Sequence, residues 1–185
     1  MTVGTALRQA RERRGLLQAD VGGEVYLSRK TISAIERGRR RLSRQVAPKL
    51  AHQMDNPRLY MELADELCGG VMAPVYLDGE NVDLHRASVR DKTIEELSEA
   101  IEALSKARAL VNARSADQLN DLERQQIRNC LQELAEAETA IGMMIAVICE
   151  TYGFSAAEVY REHRRELAAK GYISRTKEKP PSKRR

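Results

Sequence analysis

Apolar residues recur every three or four positions through most of this chain, and the strict alternation found in strands is rare. Leu7 and Ala10, and later Ile32 and Ile35, are examples of this spacing. Residues spaced in this way share one face of a helix, so the pattern predicts an all-α protein. Near the N-terminus it predicts five short helices, over about residues 5–14, 18–24, 28–37, 47–54 and 56–67.

Residues with known roles at helix ends mark the boundaries of these helices. Ser28 and Asn56 carry side-chain oxygens that can accept from exposed backbone N–H groups at a helix start. Pro57 suits the first helical position, where no amide donor is needed. Gly38 and the glycine pair at 69–70 suit the left-handed conformation that ends a helix. We therefore expect the five helices to form one domain, residues 1–69.

Two long amphipathic stripes after residue 90 predict helices over about residues 91–111 and 116–152. Helices of this length joined by a short turn pack as an antiparallel hairpin. A third helix, 156–169, follows. The segment 141–148 is apolar on nearly all sides, so either the third helix or a second subunit must cover it. The apolar stripe of the first long helix consists of Ile94, Leu97, Ile101, Leu104 and Val111.

The segments around these helices are less regular. Residues 70–90 form either an extended linker or a small hairpin that turns at Asp78-Gly79, a dipeptide typical of tight turns. Residues 91–173 are predicted to be a helical dimerisation or regulatory domain. Residues 174–185 contain six Lys and Arg against one acidic residue and almost no apolar ones, which predicts a disordered basic tail.

Charge is distributed unevenly, and this is more informative than the net charge of +4. Residues 1–49 contain twelve Lys and Arg against four Asp and Glu, whereas residues 50–173 contain thirteen against twenty-two. A basic head on an acidic body indicates that the head binds a polyanion such as nucleic acid. Within the head, Arg13 and Arg14 face either DNA or solvent.

Residues 18–37 have the pattern of two short helices joined by a tight turn at residues 25–27. The inward positions of the second helix are aliphatic. Its outer face is basic and able to donate hydrogen bonds, as a helix in the major groove of DNA requires. The residues on this outer face are Arg29, Lys30, Ser33, Ala34 and Arg37.

Residues 7–50 resemble the Cro/repressor-type helix-turn-helix domain of the XRE family. The match consists of G-L-x-Q at residues 15–18 and S-R-x-T-I-S-x-I-E-R-G at residues 28–38. The resemblance implies a lambda-repressor-like five-helix DNA-binding head. It also implies that Gln18 binds a phosphate and braces the second, recognition helix, and that Glu36 pairs with Arg11. The residues implied to face base edges are Arg29, Lys30, Ser33 and Ala34, and those implied to follow the DNA backbone are Arg37, Arg39, Arg40 and Arg41.

Some positions depart from the family pattern. Tyr26 occupies the corner usually held by glycine, where a positive φ strains other residues. Leu17 stands where a Ser or Thr cap is usual, and it has no side-chain oxygen. Gly22 and Gly23 each weaken their helix by about 1 kcal/mol relative to alanine. Gly22 also lets the two helices approach closely, because it has no β-carbon. We expect these departures to change the contact geometry of the turn more than the fold.

Motifs of catalysis and cofactor binding are missing from the sequence. It contains no GxxxxGK[ST], no GxGxxG after a strand and no HExxH. His163 has no metal-ligand spacing, and three widely spaced cysteines suit reduced thiols. There is no signal-peptide core and no apolar run near eighteen residues. These features predict a cytoplasmic protein that is not an enzyme and that uses no cofactor, metal or membrane.

These patterns together predict a sequence-specific DNA-binding transcriptional regulator. It is expected to be a homodimeric repressor of a bacterial or phage operon that binds double-stranded DNA, because two-fold operators require two-fold proteins. Two alternatives remain open. One is an antitoxin-like autoregulator whose helical body binds a protein partner, and the other is a sensor whose body binds a peptide.

Overall fold

The computed structural model describes residues 2–113 and 115–173, and the regular elements of this part are all helical. A short 3-10 turn, Ala116–Gln118, separates the two long helices. The predicted all-α class, with short N-terminal helices followed by a hairpin of long ones, is confirmed. The predicted basic tail, 174–185, lies outside the described residues. The α-helices are α1 (Val3–Arg13), α2 (Gln18–Glu24), α3 (Arg29–Glu36), α4 (Ala47–Met54), α5 (Pro57–Cys68), α6 (Arg86–Ala113), α7 (Asp121–Tyr152) and α8 (Ala156–Ala169).

Helices α1 to α5, which we call the head, enclose one aliphatic core. Each helix contributes one side chain that is 0% exposed, and these are Leu7, Val21, Ile32, Leu50 and Leu59. Burial of one such side chain contributes roughly 1.5–3 kcal/mol. The short helices are therefore stabilised by packing on one another more than by their own propensity.

The predicted ends of the head helices are close to those observed. Asn56 accepts from the amide of Leu59 at 3.0 Å and so caps α5, as predicted. Helix α4 begins at Ala47, and α1 begins at Val3, before the predicted residue 5. The earlier start of α1 has a local cause, since the hydroxyl of Thr2 accepts from the amide of Thr5.

The segment 70–85 crosses α7 as turns and extended chain, and the hairpin predicted at Asp78-Gly79 does not form. The extended alternative describes it better, although Tyr76 within it is buried. The amide of Leu77 donates to the sulfur of Met143 at 3.2 Å. These contacts hold the chain close to α7 at Tyr76 and Leu77. Helix α6 starts at Arg86, before the predicted start at residue 91.

Helices α6 and α7 form the body and pack against each other through small side chains. Ala100 and Ala107 on α6 are buried, as are Ala137 and Ala140 on α7. The hydroxyl of Thr93 donates to the carbonyl of Val89 at 2.7 Å and also lies 3.2 Å from the carbonyl oxygen of Ala140, so Thr93 is level with Ala140 in the antiparallel pair. Because these side chains are short, the two helices approach closely and leave larger residues outside their seam.

The aliphatic stripe that predicted α6 does not lie in this seam. Its members Ile94, Leu97, Ile101, Leu104 and Val111 are between 38% and 63% exposed. The other apolar segment, 141–148, is covered on one side only by parts of the same chain, and Ile141 stays 40% exposed. Met143 and Val147 pack with Met61 of α5 and with Tyr76.

Polar contacts join the head to the body. Arg13 forms an ion pair with Glu150 of α7 at 2.8 Å, and the amide of Ala157 in α8 donates to Asp55 at 3.1 Å. The buried guanidinium of Arg58 lies 2.7 Å from Asp78 and is stacked over the ring of Tyr76. None of the described helices is long and apolar enough to cross a lipid bilayer.

Candidate nucleic-acid interface

Helix α3 is fixed at both ends by residues that the sequence identified. The hydroxyl of Ser28 accepts from the amide of Thr31 at 3.1 Å, as predicted for the N-cap. Gly38 has a φ of 69°, in the left-handed region where glycine has no steric penalty. The recognition helix is therefore short, with eight residues between Arg29 and Glu36.

The turn between α2 and α3 depends on a close backbone approach. A β-carbon on Gly22 would collide with the carbonyl oxygen of Leu27. The backbone amide of Leu27 in turn donates to the carbonyl oxygen of Gly22 at 2.8 Å. Tyr26 has a φ of 58°, and its side chain is 90% exposed. The corner is thus formed by a residue that accepts conformational strain and has no packing role.

A buried ionic network braces α3 against the helices before it. The Nε of Arg11 lies 2.6 Å from Oε1 of Glu36, and its Nη2 lies 3.1 Å from Oε2. The side-chain amide of Gln18 also donates, from Nε2, to Oε2 of Glu36 at 2.8 Å. The hydrogen bonds and charge of Glu36 raise the pKa of Arg11, although burial opposes this. The network links α1, α2 and α3 through one carboxylate.

Most of the residues predicted to bind DNA lie together on the surface around α3. Ser33 and Ala34 are half-buried, as is Gln18 at the start of α2. The amides of Arg39 and Arg40 donate to the carbonyl of Ala34 at 2.9 and 3.2 Å, which folds this segment back over the end of α3. The exposed members of the set are Arg29, Lys30, Arg37, Arg39, Arg40 and Arg41.

These six cations are not neutralised within the part of the chain that the structure describes. Ion pairs elsewhere in the head involve Arg8 with Glu12, and Arg11 with Glu36. An uncompensated group of Lys and Arg attracts phosphate groups and releases their counterions on binding. We refer to this surface, from α3 through residue 41, as the basic face.

Arg13 and Arg14 do not belong to the basic face. Arg13 pairs with Glu150, and Arg14 donates to the carbonyl of Gln53, so both are directed toward other parts of the protein. Both arginines remain exposed, so the solvent alternative describes them in part, together with these contacts. Sequence reasoning also treated Tyr26 only as a strained corner, whereas its exposed ring stands directly before the recognition helix.

A cavity lies between the head and the body and was not anticipated. Its volume is about 430 Å³, and its lining is mostly apolar. Burial and the nearby carboxylate of Asp55 raise the pKa of Tyr60 in this lining to about 12. Two exposed arginines of α8, Arg161 and Arg164, also line the cavity.

One group of carboxylates has the spacing of a candidate metal site. Oxygens of Glu96, Glu99 and Glu133 lie within 4.8 Å of one another across the α6–α7 seam. The ammonium group of Lys92 lies 2.9 Å from Glu96 and supplies a positive charge there. A cation is therefore not required to explain this group.

Comparison with known protein families gives one match. A family model described as a helix-turn-helix domain matches residues 2–53, which contain α1 to α3 and all but the last residue of α4. No curated protein and no solved structure gives a significant match. The matched segment includes the whole of the basic face and the network beneath it. The similarity shows that residues 2–53 form a helix-turn-helix domain, and such a domain suggests a DNA-binding regulator.

Proposed function

We propose that this protein is a sequence-specific transcriptional regulator of the XRE type, a homodimeric repressor of a bacterial or phage operon. The observation that carries the proposal is the basic face, with six exposed cations around a short helix that Glu36 braces from beneath. In this reading Arg29, Lys30, Ser33 and Ala34 contact base edges. Arg37, Arg39, Arg40, Arg41 and Gln18 contact phosphates.

The proposed mechanism is occupancy of the operator. Two recognition helices from two subunits enter successive major grooves on one side of the duplex, where they exclude polymerase. Half-sites separated by about one turn of DNA, roughly 34 Å, fit such an arrangement. Phosphate contacts by several cations predict an affinity that falls steeply as salt concentration rises.

Selection of bound duplexes from a random library, with the full chain as bait, tests this proposal. We expect an enriched inverted repeat whose half-sites are about one helical turn apart. Enrichment of a single asymmetric site would contradict the dimeric mode of binding. Failure to enrich any sequence, with no binding of duplex DNA at moderate salt, would contradict DNA recognition itself.

A second candidate function is control of DNA binding by a small ligand in the cavity between the head and the body. Its apolar lining and its two arginines, Arg161 and Arg164, suit a molecule with an apolar body and an anionic group. Octanoate and octanol are a matched pair of probes. Stabilisation of the full chain by octanoate but not by octanol, lost in Arg161→Ala, supports ligand control, and an equal response to both opposes it.

A further inference from the structure

The exposed aliphatic side chains of the body form a continuous surface on both long helices. A groove lined by Leu97, Ile101 and Leu104 of α6 and by Leu134 and Ile141 of α7 runs along the hairpin. We call this surface the hairpin groove. Each of these five residues is more than one-third exposed. A row of large aliphatic residues left in water at this spacing indicates a surface that another molecule covers.

The spacing of these residues matches that of coiled coils. On both helices the intervals alternate between three and four residues, which keeps a single seam facing a partner helix. The α6 row contains Ile94, Leu97, Ile101, Leu104, Arg108 and Val111. The α7 row contains Ile127, Leu131, Leu134, Glu138, Ile141 and Ile145.

Each row is interrupted by one charged residue, and the two charges are opposite. Arg108 interrupts α6 and Glu138 interrupts α7, and both are exposed. Neither forms an ion pair with another residue in the described ranges. If a partner covered both rows, two unpaired charges would lose water, which is unfavourable unless they meet opposite charges.

The register of the hairpin defines where such charges could meet. Thr93 is level with Ala140, so Glu138 of the antiparallel helix is level with about residue 95 of α6. Arg108 lies roughly 20 Å further along the same axis. A two-fold axis perpendicular to the helices and midway between these levels passes close to Ile101. This is also near the middle of the α6 row, between Ile94 and Val111.

We propose that a second copy of this chain packs antiparallel on the hairpin groove, so that Arg108 of each copy pairs with Glu138 of the other. The inference rests on the dimer of the proposed function and identifies its interface. It makes a four-helix bundle in which all four charges are paired. The parallel arrangement would instead set each Arg108 level with about residue 125 of the partner's α7, between the cationic side chains Arg124 and Arg128.

The antiparallel bundle also agrees with binding to two half-sites. The head joins the body near Val89 and Met143, at one end of the hairpin. The two-fold axis near Ile101 lies roughly 20 Å from that end. The two heads would therefore join the bundle at points roughly 40 Å apart, which is comparable to one turn of duplex DNA.

Sedimentation equilibrium of the full chain, with far-UV circular dichroism of each variant, tests the interface. Ile101→Glu is expected to raise the dimer dissociation constant by at least roughly thirtyfold while leaving the monomer folded. Ile101 is 63% exposed, so the substitution removes little packing within one chain. A dimer that persists unchanged in this variant overturns the proposal.

The charge pair is tested by reversal. Arg108→Glu and Glu138→Arg are each expected to raise the dissociation constant roughly tenfold, and the double reversal to restore most of the loss. Arg165→Glu makes the same change on α8 outside the groove and should have no effect. If the double variant is weaker than both single ones, the antiparallel pairing is wrong.

Anisotropy of labelled duplex DNA separates this inference from the proposed function. A chain that binds DNA but stays monomeric at micromolar concentration would overturn the interface and leave DNA binding intact. In that case the groove belongs to a different partner. A chain that dimerises through the groove but binds no DNA would leave the interface intact and overturn the proposed function.

Discussion

Arg11 and Glu36 are joined by two hydrogen bonds across the interior of the head, with 2.6 Å between Nε and Oε1. The side chain of Glu36 is only 1% exposed. The carboxylate fixes the orientation of α3 relative to α1, and through Gln18 it also reaches α2. The geometry of the basic face thus depends on an acidic residue beneath it.

We expect Glu36→Ala to lower the free energy of unfolding by about 3 kcal/mol, because it leaves the guanidinium of Arg11 largely buried without a counter-charge. Urea denaturation followed by circular dichroism measures this change. Glu12→Ala is the control, since Glu12 pairs with Arg11 at 3.3 Å at an exposed position. Its cost should stay within about 1 kcal/mol. Equal costs for the two variants would contradict the role assigned to Glu36.

Two adjacent glycines in α2 should respond in opposite directions to the same substitution. Gly22→Ala is expected to destabilise the head by roughly 1–3 kcal/mol, because the new β-carbon collides with the backbone of Leu27. Gly23 has open space around the same position, so Gly23→Ala should stabilise the protein by about 0.5–1 kcal/mol through helix propensity. Thermal unfolding of both variants checks the prediction, and a gain from Gly22→Ala would contradict the close approach.

Tyr26→Gly is expected to relieve strain at the corner of the helix-turn-helix. A positive φ costs an L-residue roughly 1–2 kcal/mol, and part of this is offset by the greater flexibility of glycine when unfolded. The net gain should be up to about 1 kcal/mol in thermal unfolding. Tyr26→Ala retains the β-carbon and should gain nothing. A comparable gain in both variants would show that the ring, not the backbone, is the source of strain.

Lys30→Ala and Arg40→Ala should weaken DNA binding in different ways. Lys30 is proposed to contact a base, so its loss should reduce the preference for the selected site over random duplex. Loss of Arg40 should weaken binding to all sequences and flatten the log–log salt dependence by about one. Arg13→Ala is the control, because Arg13 pairs with Glu150 away from the basic face. If Lys30→Ala and Arg40→Ala lose affinity equally on specific and random duplex, the assigned roles are wrong.

The raised pKa of Tyr60 predicts a loss of stability in alkali. An unfolded tyrosine loses its proton near pH 10, whereas Tyr60 in the folded chain keeps it up to about pH 12. The neutral side chain of Tyr60 therefore makes its full contribution to the free energy of unfolding below pH 10. This contribution declines as pH rises toward 12. Urea titrations at several pH values should show a smaller decline in Tyr60→Phe. An equal decline in Tyr60→Phe and in the unaltered chain would contradict this role of Tyr60.

The head could be predicted in detail because its signals are local. The helix-end residues Ser28, Asn56 and Gly38 each act on backbone groups within a few residues. Their roles can therefore be predicted from the residues next to them in the sequence. The positions of Leu7 and Ile32 in the core follow equally from short-range spacing. The partner of Arg11 followed from the family resemblance and not from spacing.

The body was less predictable because periodicity shows that a helix face is apolar but not what covers it. The stripe containing Ile101 was detected correctly, yet the seam of the hairpin is formed by alanines such as Ala100 and Ala107, which give a weak signal. Arg58 shows the same limit for charged residues. It is buried because Asp78 and Tyr76, far along the chain, surround its guanidinium.

The ion pair between Arg13 and Glu150 ties the head to one end of a long helical rod. In the proposed dimer, a subunit joined to its copy near the middle of that rod would act as a lever, with its fulcrum at the shared interface. A small twist at the fulcrum would be magnified into a larger displacement of each recognition helix. Binding to the operator could then be weakened by a change in the spacing of the two heads, with no change in the residues that contact DNA.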